Sequence, residues 1–286
     1  MIDIEIIKKL TLSALVADDI LIGILVLKGG NALNLAYDIT NRGSIDINFS
    51  MAGDFTDKEK NRLKNQLESI LNNEFCTHGL LVFDVKFEDR PGKIDPKVAS
   101  FWGGYMLSFK VIEFDKIKTI KDDLDSKRRN ALPIGKKNST VFTVDISKYE
   151  YIGSKKNVDI EGSIIQVYSP EMLAIEKLRA ICQQNPKYKE VVFHMTARPR
   201  PRDFFDIHTL SKHFSLDFTN SENLDLVNTI FEAKKVPIAY ISEIRNQKDL
   251  HFQAWESVIQ TVNPEENILE FDTYFEFVIA LFKHIV

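Results

Sequence analysis

Apolar residues fall close to helical spacing at Ile6, Leu10, Leu12 and Leu15, which predicts a helix over residues 6–16. The next run, 22–27, is apolar throughout and reads as a buried strand ending at Gly29-Gly30, with a helix to follow through Ala32, Leu35 and Ala36. Residues 44–50 alternate strictly, with Ile45, Ile47 and Phe49 on one face and Ser44, Asp46, Asn48 and Ser50 on the other, the pattern of a half-buried strand with a polar working face. A charged amphipathic helix is expected over 57–72, strands over 80–87, 105–112 and 140–146, and a solvated helix over the lysine- and aspartate-rich stretch 116–129. After Ser169 the apolar periodicity becomes helical, at 172–182, 204–213, 224–233 and 269–285. Ser169-Pro170-Glu171 supplies an N-cap, a first-turn proline and a first-turn acid. The chain thus reads as α+β, with an α/β domain over 1–168 followed by a mainly helical domain over 169–286, and no internal repeat.

Composition narrows the partners more than the fold. Thirty-seven basic residues against 41 acidic ones give a net charge of -4, so any nucleic-acid contact must come from a local patch. Such a patch exists between Lys177 and Arg202, where seven basic residues accompany one acid, Glu190. Cys76 and Cys182 lie far apart with no ligand spacing around them, which argues against a disulfide scaffold or a structural zinc and for a reducing cytoplasm. The most apolar stretch is only a strand's length, and Met-Ile-Asp-Ile-Glu has no basic n-region, so neither a membrane span nor a signal peptide is expected. No H-E-x-x-H, G-x-S-x-G or P-loop spacing occurs, which disfavours zinc hydrolases, α/β-hydrolases and P-loop enzymes.

Four segments carry candidate chemistry. Gly29-Gly30 between a strand and a helix would let a phosphate approach the backbone, while Asp46 and Asn48, two apart on a strand, would present oxygens jointly to a hard divalent cation. Each part alone has a plainer reading, a turn and a solvated acid. Asp145, between apolar neighbours on its own alternating strand, would serve as a base or a further metal ligand were that strand beside the one carrying Asp46, and is otherwise a surface aspartate. Asp84 competes by the same logic. Lys177 falls on the apolar face of the helix after Pro170, with Glu176 and Arg179 on roughly the opposite side; it must either snorkel to water or meet an anion. Finally, Arg198, Arg200 and Arg202 precede Asp203 and Asp206, which share a helix face; this suits phosphates or an RNA backbone, or equally a solvated turn with dipole-favoured acids.

Taken in order, Leu27-Lys28-Gly29-Gly30-Asn31-Ala32-Leu33, Arg42-Gly43-Ser44-Ile45-Asp46-Ile47-Asn48-Phe49, Glu176-Lys177-Leu178-Arg179-Ala180 and Arg202-Asp203-Phe204-Phe205-Asp206-Ile207 resemble the AbiEii/AbiGii toxin family. These are nucleotidyltransferases with a DNA-polymerase-β-like catalytic domain, the toxin halves of bacterial toxin-antitoxin and abortive-infection systems. The resemblance runs from about residue 20 to 215. It implies a nucleotide-binding set of Gly29, Gly30, Ser44, Lys177 and Arg202, and metal ligands Asp46, Asn48 and Asp145. It also implies catalytic roles for Asp46, Asp145, Lys177, Asp203 and Asp206, and an acceptor site at Arg198 and Arg200. The implied reaction is in-line attack by a hydroxyl on the α-phosphate of a nucleoside triphosphate in the presence of Mg²⁺ or Mn²⁺, with an RNA acceptor such as a tRNA 3′ end and a cognate antitoxin as partner.

One position departs from the family pattern. Asn48 stands where the family's second carboxylate is usual, so the pair carries one negative charge fewer and should hold Mg²⁺ less tightly. A nucleotide- or RNA-binding module without transfer chemistry is therefore the alternative. A glycosyltransferase acting on a metal-bound sugar nucleotide leaves Lys177 and the Arg202–Asp206 segment unexplained.

Overall fold

The computed structural model describes residues 3–39, 44–134, 138–193, 195–262 and 268–285. The chain opens with α1 (Ile4–Val16), capped by Asp3, whose side chain accepts the Glu5 N–H. The apolar run that follows splits into a helical turn, Leu21–Ile24, and a three-residue strand β1 (Val26–Lys28). Asp18 causes the split: its Oδ1 accepts the N–H groups of Ile20 and Leu21, both at 3.1 Å, and so starts a turn where apolarity alone predicts a strand.

The sheet is completed by β2 (Ile47–Ser50), then, after the long helix α2 (Asp57–Phe75), by β3 (Leu80–Arg90), β4 (Gly104–Glu113), β5 (Phe142–Ser147), β6 (Lys155–Ile160) and β7 (Ser163–Tyr168). α2 begins at a reciprocal capping box between Thr56 and Glu59 and buries Leu63, Leu67, Leu71 and Phe75, spaced four apart, towards β3 and α1. The solvated helix expected over 116–129 is two short ones, Phe114–Ile117 and Leu124–Arg129. Asp123 restarts the second by accepting the Ser126 N–H at 2.7 Å. The β6–β7 hairpin is an element the hydrophobic pattern did not announce. Its outer strand is charged (Lys155, Lys156, Asp159), and its turn is made by Glu161 and Gly162, both at positive φ.

The seven strands lie in the order β3-β4-β5-β2-β1-β7-β6. β2 runs parallel to β5 and β1 parallel to β7, while the other neighbours are antiparallel, so the sheet is mixed. The elements described after Tyr168 are all helical, the longest being α3 (Pro170–Cys182), α4 (Pro201–Phe214), α5 (Ser221–Glu232) and α6 (Phe271–Phe282). α3 packs on β7, α4 and α5 and is buried almost all round, and one apolar core runs from Phe49 and Val167 through Leu173 to Phe204, Phe231 and Phe275. The architecture is α+β, a mixed sheet with helices. Cys76 and Cys182 are free thiols. Among the described residues no helix is long and apolar enough to cross a membrane.

Candidate functional site

Strand register brings the polar residues of three separate segments into one row. β2 and β5 pair Asn48 with Asp145, β1 and β2 pair Lys28 with Asn48, and β4 and β5 pair Met106 with Asp145. Residues opposite one another across strands share a face, so Met106, Asp145, Asn48 and Lys28 lie in line across the sheet. Asp46, two residues before Asn48, accepts the Thr143 hydroxyl on its Oδ1 at 3.1 Å, and Thr143 lies two residues before Asp145. The adjacency that Asp145 required to be of interest is therefore present.

The backbone carbonyl of Asp46 gathers the surrounding loop. It accepts Asn31 Nδ2 at 2.7 Å, Asn48 Nδ2 at 3.1 Å and the Ser44 hydroxyl at 3.4 Å. Arg42 and Gly43, which completed this motif in the sequence, lie outside the described residues. Gly29 has φ +72°, a conformation that disfavours any side chain, and a Cβ there would lie 3.5 Å from Asn48 Nδ2. The glycine pair itself opens a single helical turn, Gly29–Asn31, which runs into a five-residue π turn, Ala32–Ala36. It is too short to build the dipole that a long helix would offer a phosphate.

Lys28, Asn48 and Asp145 of this row line the foot of a cleft of about 1150 Å³. One wall is the connection from Arg90 to Gly104, and the other comes from α3 and residues 189–193 and 195–200. Lys28, Arg90, Lys93, Lys97, Arg179, Lys189, Arg198, Arg200 and Lys234 line it against Asp95, Asp145, Glu150, Glu176 and Glu190, so a chain of net charge -4 carries a cationic cleft. Arg90 reaches over β4 and pairs with the Asp145 carboxylate.

Beside Asn48 the cleft floor is a network of ions. Arg179 bonds Glu150 at 3.0 Å and Glu176 at 3.3 Å; Lys28 stands 3.5 and 3.4 Å from the same two carboxylates, and Lys234 is 3.5 Å from Glu150. Burial alone would raise the Glu176 carboxyl, but Lys28 and Arg179 bring it down to about 2. Glu150 is lowered against its own burial by Arg179, Lys28 and Lys234. Burial pushes Lys234 down to about 8, with Glu150 opposing that shift. Sequence reasoning placed Glu176 and Arg179 opposite Lys177 but did not foresee that this side faces other charges. It assigned no role to Lys28, Arg90, Glu150 or Lys234. Lys28, abutting Gly29 at a strand end, offered a visible signal; Glu150 and Lys234 sit in loops and offered none.

Lys177 meets an anion, and the anion is internal. Its Nζ lies 2.7 Å from Asp206 Oδ2 and 3.3 Å from Asp203 Oδ1, with the lysine side chain 5% exposed. Arg200 Nε is 2.7 Å from the other Asp203 oxygen, and Arg200 lines the cleft. Asp203 thus links the buried lysine to an arginine at the rim. Arg198 is set by its backbone N–H on Gln184 Oε1 at 2.8 Å. Arg202 is exposed on the first turn of α4 and is not among the residues that line the cleft. Asp84, at the β3 bulge, is paired with Arg128 and lies apart from the row.

Asn48 and Asp145, paired in register, and Asp46, two residues before Asn48, carry oxygen donors of the hard type. They fit Mg²⁺ or Mn²⁺ in chemical type, with an amide in place of a third carboxylate. Among the described residues no three His, Cys, Asp or Glu side chains cluster as a metal site.

A search of solved structures finds an antigenic nucleotidyltransferase-like protein from Paracoccidioides brasiliensis, 16% identical, covering 81% of this chain and 94% of that one at a TM-score of 0.36. No curated protein matches. The sequence model described as nucleotidyl transferase AbiEii toxin, type IV TA system, matches residues 12–277. With nearly its whole length so matched, the chain belongs to the AbiEii family of nucleotidyltransferase toxins from type IV toxin-antitoxin systems.

Proposed function

We propose that the chain transfers a nucleoside monophosphate from a nucleoside triphosphate to a hydroxyl at an RNA 3′ end, a tRNA being the acceptor, in the cytoplasm and under the control of a cognate antitoxin. The observation that carries this reading is the register of Asn48 with Asp145 at the foot of a cationic cleft, one strand from Lys28 and Gly29. Asp46, Asn48 and Asp145 would hold Mg²⁺ or Mn²⁺, which supplies neutralisation of the charge developing on the phosphates.

The protein's own groups account for the remaining steps. Gly29 and Gly30, with Ser44, shape the loop against which the phosphates lie. Arg198 and Arg200 bind the acceptor backbone, and Arg200 is steadied through Asp203 by Lys177 and Asp206. The acceptor oxygen attacks the α-phosphorus; the new O–P bond forms as the bond to the β-phosphate bridging oxygen breaks and pyrophosphate departs. Asp145 accepts the proton of the attacking hydroxyl, its pair with Arg90 exchanging for the substrate.

A second reading draws support from two features, the amide at Asn48 and the Arg90 side chain on Asp145, both of which weaken a cation site. It makes the chain a nucleotide- and RNA-binding module. Incubation of purified protein with total bacterial RNA and each labelled nucleoside triphosphate in Mg²⁺ separates the two. Label on a discrete RNA, lost in Asp46→Ala and Asp145→Asn, is the expected result; nucleotide bound without label on any RNA would favour the module.

A further inference from the structure

The ion network on the cleft floor does not balance. Lys28, Arg179 and Lys234 face Glu150 and Glu176, and none of the five side chains is more than 15% exposed. Three buried cations against two carboxylates leave a net charge of +1 within the cluster, and a buried charge without a counter-ion is costly to keep from water. The contacts are also uneven. Arg179 takes the close position on Glu150 at 3.0 Å and stands 3.3 Å from Glu176, while Lys28 makes no contact shorter than 3.4 Å, the outer limit of a hydrogen bond. The shorter bonds of Lys234 go to backbone carbonyls, Phe101 at 3.1 Å and Lys148 at 2.5 Å. Arg179 Nε is buried and has no hydrogen-bond partner. All five residues line the cleft, and Lys28 neighbours Asn48 in register.

We infer that this cluster is an anion seat for two linked phosphates, the pyrophosphate end of a nucleoside triphosphate. The nucleotide as its source rests on the nucleotidyltransferase reading; the seat itself rests on the charge imbalance. Lys28 Nζ and Arg179 Nε donate to phosphate oxygens, and the bound anion neutralises the surplus. Glu150 and Glu176 limit that surplus to a single charge, which allows pyrophosphate to leave after transfer. Burial chiefly brings Lys234 down to about 8, Glu150 opposes that shift, and Arg179 and Lys28 add to it. Lys177 has its anions already; Lys28, on the other side of α3, does not have enough.

The test is calorimetric titration of the full-length chain with inorganic pyrophosphate, a nucleoside triphosphate and a nucleoside monophosphate. Lys28→Met removes one charge-assisted bond and is expected to weaken pyrophosphate and triphosphate about tenfold, leaving the monophosphate unchanged. Glu176→Gln enlarges the surplus and is expected to tighten pyrophosphate several-fold, a direction that a purely structural network would not give, and it keeps the test open if Lys28→Met does not fold. Loss of triphosphate binding alone, with free pyrophosphate unaffected, would overturn the seat, as would pyrophosphate that fails to bind or binds both variants like the parent. Label transfer is measured in parallel. Transfer with pyrophosphate indifferent to both substitutions leaves the enzyme reading standing and removes the seat; the converse keeps the seat and removes the enzyme.

Discussion

Lys177→Met puts the buried pair between α3 and α4 to a quantitative test. The Lys177 ammonium lies 2.7 Å from Asp206, and the two side chains are 5% and 1% exposed. At an effective dielectric of about 20, a pair at that distance gains roughly 6 kcal/mol of gross attraction, largely offset by desolvation of both ions. Methionine keeps the apolar stem packed against α4 and deletes only the charge. Asp206 then stays buried without its ammonium, and the expected loss of folding free energy is about 3–5 kcal/mol. Replacing both partners, Lys177→Met with Asp206→Leu, removes both charges of the pair and is expected to recover stability to within about 1 kcal/mol of the parent. Urea denaturation at neutral pH, read as a change in midpoint at constant slope, measures both. A loss under about 1 kcal/mol in the single variant, or a double variant as unstable as the sum of the singles, would refute the reasoning.

Three further outcomes are expected. Asn48→Asp adds a second carboxylate two residues after Asp46 and should lower the Mg²⁺ concentration for half-maximal transfer about tenfold; an unchanged requirement would remove Asn48 from the cation site. His251 is buried, accepts the Arg200 N–H on Nδ1 at 3.1 Å, and is pushed down from 6.5 to about 4 by burial and then by the Arg200 charge. Because the unfolded chain binds this proton first, stability present above pH 6.5 should fall by roughly 3 kcal/mol as pH drops towards 4, and His251→Leu should flatten that fall in pH-dependent urea titrations. Gly29→Ala forces a side chain into φ +72° and is expected to cost about 1–2 kcal/mol in the same denaturation assay, while a neutral substitution would contradict the geometry.

Local chemistry made much of the fold legible. Alternation exposed β2 and β5, four-residue apolar spacing exposed α2, and Ser169-Pro170-Glu171 marked the start of α3 where it occurs. The pattern failed where one side chain overrode it, as Asp18 did in turning residues 21–24 into a helix, and where an edge strand needed no apolar face, as in β6. For the candidate site, the strand bearing Asp46 and Asn48 and the separate strand bearing Asp145 were each visible, but their adjacency is a property of sheet order. The Lys28–Glu150–Glu176–Arg179–Lys234 network was hidden for a related reason. Its members come from a strand end, two loops and one helix, and no periodicity connects a loop glutamate to a helix it meets only in three dimensions.

The order of strands also bears on when a toxin becomes dangerous. β2 is flanked by β1 and β5, so the Asn48–Asp145 pair cannot form until the β3–β4 hairpin and β5 have been synthesised, and the cleft floor still lacks Arg179 and Lys234 at that stage. A ribosome-bound chain that has exposed its first 150 residues holds the four strands of the row but no second wall, and of the floor network only Lys28 and Glu150. Non-local pairings of this kind form slowly relative to local helices. The topology therefore acts as a delay: the cleft is complete only once the helices after Tyr168 have joined the sheet.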